Sequence, residues 1–210
     1  MSHPPLHSPA AERNKQPILE ALLGLLPAQG RALEIAAGTG QHGPHFMAGL
    51  PGWSWQATDL DTSRLEAIAA WAEQAPAEVR ARLPAPLRLD VLAEPWPLDG
   101  QRYELVFCAN MLHVAPWPCC AALMRGAARH LVPTGLLLTY GPYLEAEVPT
   151  AASNLAFDAD IRARDAAWGL RSLEAVRAEA AAAGLSLRQR IAMPANNLLL
   201  VWALTDTCPP

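Results

Sequence analysis

The stretch "ALEIAAGTGQHG", residues 32–43, decides how this chain is read. It begins as an apolar run, carries a carboxylate at Glu34, and closes as G-x-G-x-x-G from Gly38 to Gly43. Glycines so spaced between a strand and a helix let a backbone turn approach a ligand closely. A nicotinamide dinucleotide would account for the glycines but not for Glu34. A carboxylate beside a pyrophosphate is repulsive, and the dinucleotide turn relies on bare amides at a helix N-terminus. A ligand with positive charge removes the conflict. S-adenosylmethionine has a sulfonium, an ammonium and no phosphate, and it is the expected cofactor, held along the turn Ala36, Gly38, Thr39, Gly40. Gly43 is read as helix packing only.

Outward from this turn the chain alternates. Ser8 and Pro9 are an N-cap and first helical residue, opening a helical segment over about 8–27 that Pro17 is expected to break. "RALEIA" reads as the first strand, "WSWQATD" as the second, and "TSRLEAIAAWAEQA" as a helix capped by Asp61. "LRLDV" and "YELVFCAN" are the third and fourth strands. A helix over "PCCAALMRGAARHL" ends at a Pro133-Thr134-Gly135 turn, and "LLLTYG" is the fifth strand. Ser172 caps the helix "LEAVRAEAAAAG". The strands "LSLRQRIAM" and "NNLLLVWALT" are joined by too short a link for a crossover, so they run antiparallel. Strands alternating with helices predict an α/β fold, Rossmann-like and doubly wound, with a mostly parallel seven-stranded sheet and an antiparallel last strand. Trp53 and Trp55 share a strand face and are assigned to the core.

The 210 residues suit one domain over 1–210, 51% of them hydrophobic and 17% charged, the balance of a globular chain. A net charge of −4 without long runs offers no basic stripe, so no nucleic-acid partner is expected. No apolar stretch is long enough to cross a membrane and the N-terminus lacks a signal core, so the expected location is cytoplasmic. Cys108, Cys119, Cys120 and Cys208 form neither a disulfide framework nor a zinc spacing, and no metal site is expected.

In open parallel sheets ligands bind beyond the carboxyl ends of the strands. Glu34, Asp59, Asp90 and Asn110 end the first four strands and are the natural candidates. Asp59 offers two oxygens to a ribose diol. Asp90 is placed to accept from an adenine amino group, with the Val91 amide on a ring nitrogen. Arg13, Asn14 and Lys15 are expected to close over the cofactor carboxylate, with Asn14 a cofactor contact.

"LEIAAGTG", "ATDLD", "LRLDV" and "FCANMLHV" resemble the successive motifs of class I S-adenosylmethionine-dependent methyltransferases. The resemblance adds Leu60 and Met111 to the cofactor contacts. More closely, "SPAAERNKQPIL", "EIAAGTGQH", "CANMLHVAPW", "YGPY", "SNLAFD", "ARDAAWG" and "MPANNL" resemble a methyltransferase-like family classed as a domain of unknown function, over nearly the whole chain. This implies a fold and a cofactor without a substrate. One departure is Ala36, where the superfamily has glycine; its β-carbon is tolerable at negative φ, with a slightly tighter turn. The Asn-Pro-Pro-Tyr type motif of amino-group DNA methyltransferases is absent after strand four.

Methyl transfer to a small-molecule acceptor is the expected reaction. A nicotinamide-dependent oxidoreductase and a non-catalytic cofactor-binding module are the alternatives. His113 is the candidate general base for a hydroxyl or thiol acceptor, and Tyr140 joins it as a catalytic candidate. The connection 141–169 is longer than usual and reads as a substrate lid. Tyr143, Asn154, Asp158, Trp168 and Asn197 are the candidate substrate contacts.

Overall fold

The computed structural model describes residues 6–205. Along the chain the elements are α1 (Pro9–Leu25), β1 (Gly30–Ile35), α2 (His42–Gly49), β2 (Trp53–Asp59), α3 (Thr62–Glu73), α4 (Ala77–Arg80), β3 (Leu87–Arg88) and β4 (Tyr103–Ala109). They continue as α5 (Pro118–His130), β5 (Leu131–Gly141), β6 (Tyr143–Leu144), α6 (Ala152–Arg164), β7 (Arg171–Ser172), α7 (Leu173–Ala182), β8 (Leu185–Met193) and β9 (Asn197–Leu204). Seven strands form one mixed sheet in the order β3-β2-β1-β4-β5-β9-β8, the α/β arrangement expected.

The chain packs as two compact units. The first comprises residues up to Asp90 and Tyr103–Phe107; the second comprises Val91–Arg102 and the residues from Cys108 onward. In the first unit β1 pairs parallel with β2, and β2 with β3. Ile18 and Leu22 of α1, Leu33 of β1, Phe46 and Met47 of α2, and Trp53 and Trp55 are buried together as its core residues. Asp61 caps α3 by accepting from the Ser63 amide. Arg82 fastens the α2–β2 corner, donating to the carbonyls of Met47, Leu50 and Trp53.

In the second unit β9 runs antiparallel to both β5 and β8, as the short link between the last strands requires. Ser172 caps α7. The two short strands β6 and β7 pair in parallel and close off the 141–169 connection at its base. Cys108, Cys119 and Cys120 are buried thiols without a disulfide; Cys208 lies outside the described residues. Among the described residues no helix is long and apolar enough to cross a membrane, and no group of three potential ligands is placed to hold a metal.

Three local expectations are corrected. Pro17 does not break the first helix but lies inside α1. The bond it forfeits is offset by Asn14, Ile18, Leu19 and Leu22, which bury one helix face on both sides of it. Pro133-Thr134-Gly135 is not a turn, because β5 begins directly after α5 and includes it. Its pairing with β9 starts only at Leu136, so the proline's missing amide breaks no rung of that ladder. The third strand is only Leu87–Arg88, leaving Asp90 in the loop beyond it.

Candidate functional site

The turn after β1 alternates left-handed residues: φ is +54° at Ala36, +60° at Gly38 and +84° at Gly40. Ala36 therefore departs from the negative φ expected of it. The Ala37 amide donates to the Thr58 carbonyl at 2.9 Å, and the Gly38 amide donates to Asp59 Oδ2 at 2.8 Å. These two bonds hold the turn against the cost of a β-carbon in the left-handed region. That cost is about 1–2 kcal/mol, and glycine would recover it less the entropy of a freer unfolded chain. Ala36→Gly is thus expected to stabilise the protein by about 0.5–1 kcal/mol, read as a raised thermal midpoint. A lowered midpoint would refute the account.

The glycines have different tasks. A β-carbon on Gly38 would meet nothing within 4 Å, so open space stands over this piece of backbone. A β-carbon on Gly40 would lie 2.6 Å from the Ile68 Cα. Gly40 is therefore required for packing on α3. Gly43 packs on Leu83 and Trp55, as expected.

Glu34 is also placed differently from its expected position beside a ligand's positive groups. It is 1% exposed. One oxygen lies 3.0 Å from His42 Nδ1, and the other accepts from Trp55 Nε1 at 2.7 Å. His42 Nε2 in turn lies 2.9 Å from Asn14 Oδ1. The carboxylate thus anchors a buried polar chain from β2 to α1. Gln41 supplies a second tie, accepting from Thr39 Oγ1 and from the Ser8 amide and donating to Glu12. Asn14 is buried beneath these links, whereas Arg13 is exposed and Lys15 pairs with Glu12 at 2.6 Å.

Asp59 ends β2 with each oxygen on a backbone amide, Gly38 on one side and Asp61 on the other. Each oxygen keeps a further lone pair for a ligand hydroxyl. Leu60, next to it, is a large apolar side chain left 49% exposed. The Leu89 amide donates to the Asp59 carbonyl, which sets the path of the chain into Asp90.

In the second unit Val91 is buried, its carbonyl accepting from Trp96 Nε1. Asn110 is left-handed, with φ +62°, a conformation asparagine tolerates better than most residues. Its amide donates to the Tyr140 carbonyl and its carbonyl accepts from the His113 amide, so Met111–His113 folds as a tight 3-10 turn.

His113 is fully buried, and among the described residues neither ring nitrogen has a hydrogen-bond partner. Tyr143 packs edge-on at 5.0 Å, and a β-carbon on Gly141 would lie 2.3 Å from Nε2. Burial, and then the charge of Arg171, push its pKa down to about 3. The expected base is therefore a neutral interior side chain without access to a substrate, and Tyr140, 5% exposed, is likewise interior. The unfolded chain takes up this proton near pH 6.5, whereas the folded chain resists to about pH 3. Stability is therefore expected to fall as pH drops below 6.5, by on the order of 1.4 kcal/mol per unit from this group. Comparing urea unfolding of His113→Phe and the parent between pH 4 and 6 checks it, since equal slopes would remove the assignment.

The family model described as "Protein of unknown function (DUF938)" matches residues 6–204. The chain belongs to that family.

Among solved structures, this DUF938 chain is similar to CalO1, a methyltransferase in calicheamicin biosynthesis in its SAH-bound form. The TM-score is 0.76, with 17% identity over 93% of this chain and 54% of that one. It is also similar to the glycopeptide N-methyltransferase MtfA complexed with S-adenosylmethionine, at TM-score 0.70 and 19% identity over 91% and 94% of the two chains. A third is an O-methyltransferase family 2 protein from Planctomyces limnophilus in complex with apigenin, at 0.72 and 23% over 90% and 61%. The chain spans about half the length of CalO1. At these identities the likeness is one of fold, and the fold is that of class I S-adenosylmethionine-dependent methyltransferases.

Of the five substrate candidates, Tyr143, Asn154 and Asn197 line one cleft of about 210 Å³ in the second unit of this DUF938 chain. Asp158 and Trp168 are not among its lining. Asp158 instead accepts from Arg162 and from the Leu170 amide, and Trp168 turns back on Asp165. Sequence reasoning missed Arg171, which donates to the carbonyls of Leu112, Ala115 and Ala167 at 2.8 Å each and lies over the Trp117 ring. It also missed His42 and Gln41 as ties to α1. Each has at least one partner far away in sequence, which no spacing announces.

Proposed function

We propose that this protein transfers a methyl group from S-adenosylmethionine to a small-molecule acceptor. The observation that carries the reading is the Gly38 amide, given to the Asp59 carboxylate under open space. A pyrophosphate at that turn would find the amide already engaged, whereas a phosphate-free nucleoside cofactor does not need it, and its ribose diol matches the remaining lone pairs of Asp59. The fold shared with proteins that carry SAH or S-adenosylmethionine supports the same reading.

The cofactor supplies an activated methyl group on a sulfonium. The chain's own task is to hold and orient, and orientation alone contributes about 7–11 kcal/mol in favourable cases. The turn Ala36–Gly40 and Asp59 fix the nucleoside, with Leu60 offering an apolar surface beside it. Asn14, locked through His42 and Glu34, sets α1 against the turn. With His113 interior, the acceptor is one that needs no base from that residue.

Titration calorimetry with S-adenosylhomocysteine and with NADH tests the proposal. Binding of S-adenosylhomocysteine alone is expected. Binding of NADH alone would replace the reading with a hydride-transfer enzyme. Cofactor binding without turnover on any of a broad set of hydroxyl, amine and thiol acceptors would favour a non-catalytic module.

A further inference from the structure

The stretches that carry the superfamily resemblance and those that carry the closer family resemblance build different places. "LEIAAGTG" and "ATDLD" form the glycine turn and the end of β2. Tyr143 from "YGPY", Asn154 from "SNLAFD", and Met193, Asn196 and Asn197 from "MPANNL" come together instead around the cleft of about 210 Å³. Nothing in the cofactor reading uses these residues.

The walls define what fits. Among the described residues, the charged groups lining the cleft are Glu145 and Arg190, and they neutralise each other in a two-pronged pair, at 2.6 and 2.7 Å. Val148, Pro149, Met193 and Leu198 supply apolar surface. The Asn154 amide nitrogen donates to the Asn196 carbonyl, and the Asn197 amide nitrogen donates to Pro194 and Ala195. Both side-chain oxygens are left to accept. At the same place α6 starts without a side-chain cap, and the Asn154 amide donates to the Ala151 carbonyl. The volume is below the ~300 Å³ at which drug-sized pockets begin.

The geometry points to this cleft as the acceptor-recognition site, built for an uncharged molecule of single-ring size that both donates and accepts hydrogen bonds. The inference rests on the methyltransferase reading for the word acceptor; the binding itself does not depend on it. A charged ligand of equal size would break the Glu145–Arg190 pair or enter with no counter-ion, and both cost free energy.

The test is 15N–1H NMR of the full chain, with and without saturating S-adenosylhomocysteine, titrated with benzamide, benzoate or benzylamine. Benzamide is expected to move the side-chain amide signals of Asn154 and Asn197 saturably. The two charged probes are expected to bind at least about tenfold more weakly. Val148→Trp and Ala192→Trp, one in an exposed loop and one on a strand, should each abolish the benzamide response and leave S-adenosylhomocysteine affinity unchanged. A missing benzamide response in protein that binds S-adenosylhomocysteine overturns the inference, as does equal binding of a charged probe. Benzamide binding in protein that ignores S-adenosylhomocysteine would overturn the cofactor reading and leave the cleft assignment in place.

Discussion

Asp59→Ala is expected to weaken S-adenosylhomocysteine binding by about 2–3 kcal/mol, roughly 30- to 150-fold, because hydrogen bonds to a charged group are among the stronger ones. Two losses combine. The ribose diol loses its acceptor, and the Gly38 and Asp61 amides lose theirs, so the turn itself loosens. Asp59→Asn separates the two. It keeps one carbonyl oxygen for an amide or a hydroxyl, and an intermediate loss is expected. Calorimetric titration of both variants, beside their thermal midpoints, reads the effect. Parent-like affinity in Asp59→Ala would remove Asp59 from the cofactor site.

The second large effect concerns stability. Glu34→Ala leaves the Trp55 indole N–H and the His42 ring facing an empty interior. The Trp55 N–H is left without its acceptor and the His42 ring without its partner, and each such buried loss costs about 1–3 kcal/mol. Glu34→Gln keeps one acceptor but turns an NH2 toward a donor, and about 1–3 kcal/mol is expected, the cost of one unsatisfied buried group. Urea unfolding at neutral pH measures both. The double variant Glu34→Gln with His42→Gln should cost less than the sum of the singles, because the two residues share one interaction. Strict additivity, or a cost under about 1 kcal/mol for Glu34→Ala, would show that the Glu34–His42–Asn14 chain contributes little to holding α1.

What was legible in the sequence follows from chemistry confined to neighbouring residues. The Ser8, Asp61 and Ser172 caps are each a side-chain oxygen two or three residues before the amide it meets. The antiparallel last strand followed from a link too short to cross a sheet. Pro17 and Pro133 were misjudged for the converse reason. A proline signals locally, yet both positions answer to burial or to where strand pairing begins.

The candidate site divides along the same line. The glycine turn and Asp59 were readable because a strand end and a tight turn bring them together within a short span of chain. Glu34 was located, but its partners were not. A buried carboxylate is satisfied by whichever donors the fold brings within about 3 Å; His42 and Trp55 reach it from two separate elements, and Asn14 joins from a third only through His42.

Sequence by itself determined the alternation of strands and helices, the glycine turn and the acid that ends β2, all fixed by backbone sterics and short-range hydrogen bonding. Tertiary structure alone decided that Gly40 serves packing and that His113 is sealed and neutral. It alone gathered Tyr143, Asn154 and Asn197 around one cleft while excluding Asp158 and Trp168. Burial and long-range partnership depend on every element that closes over a residue, and a linear pattern does not carry that information.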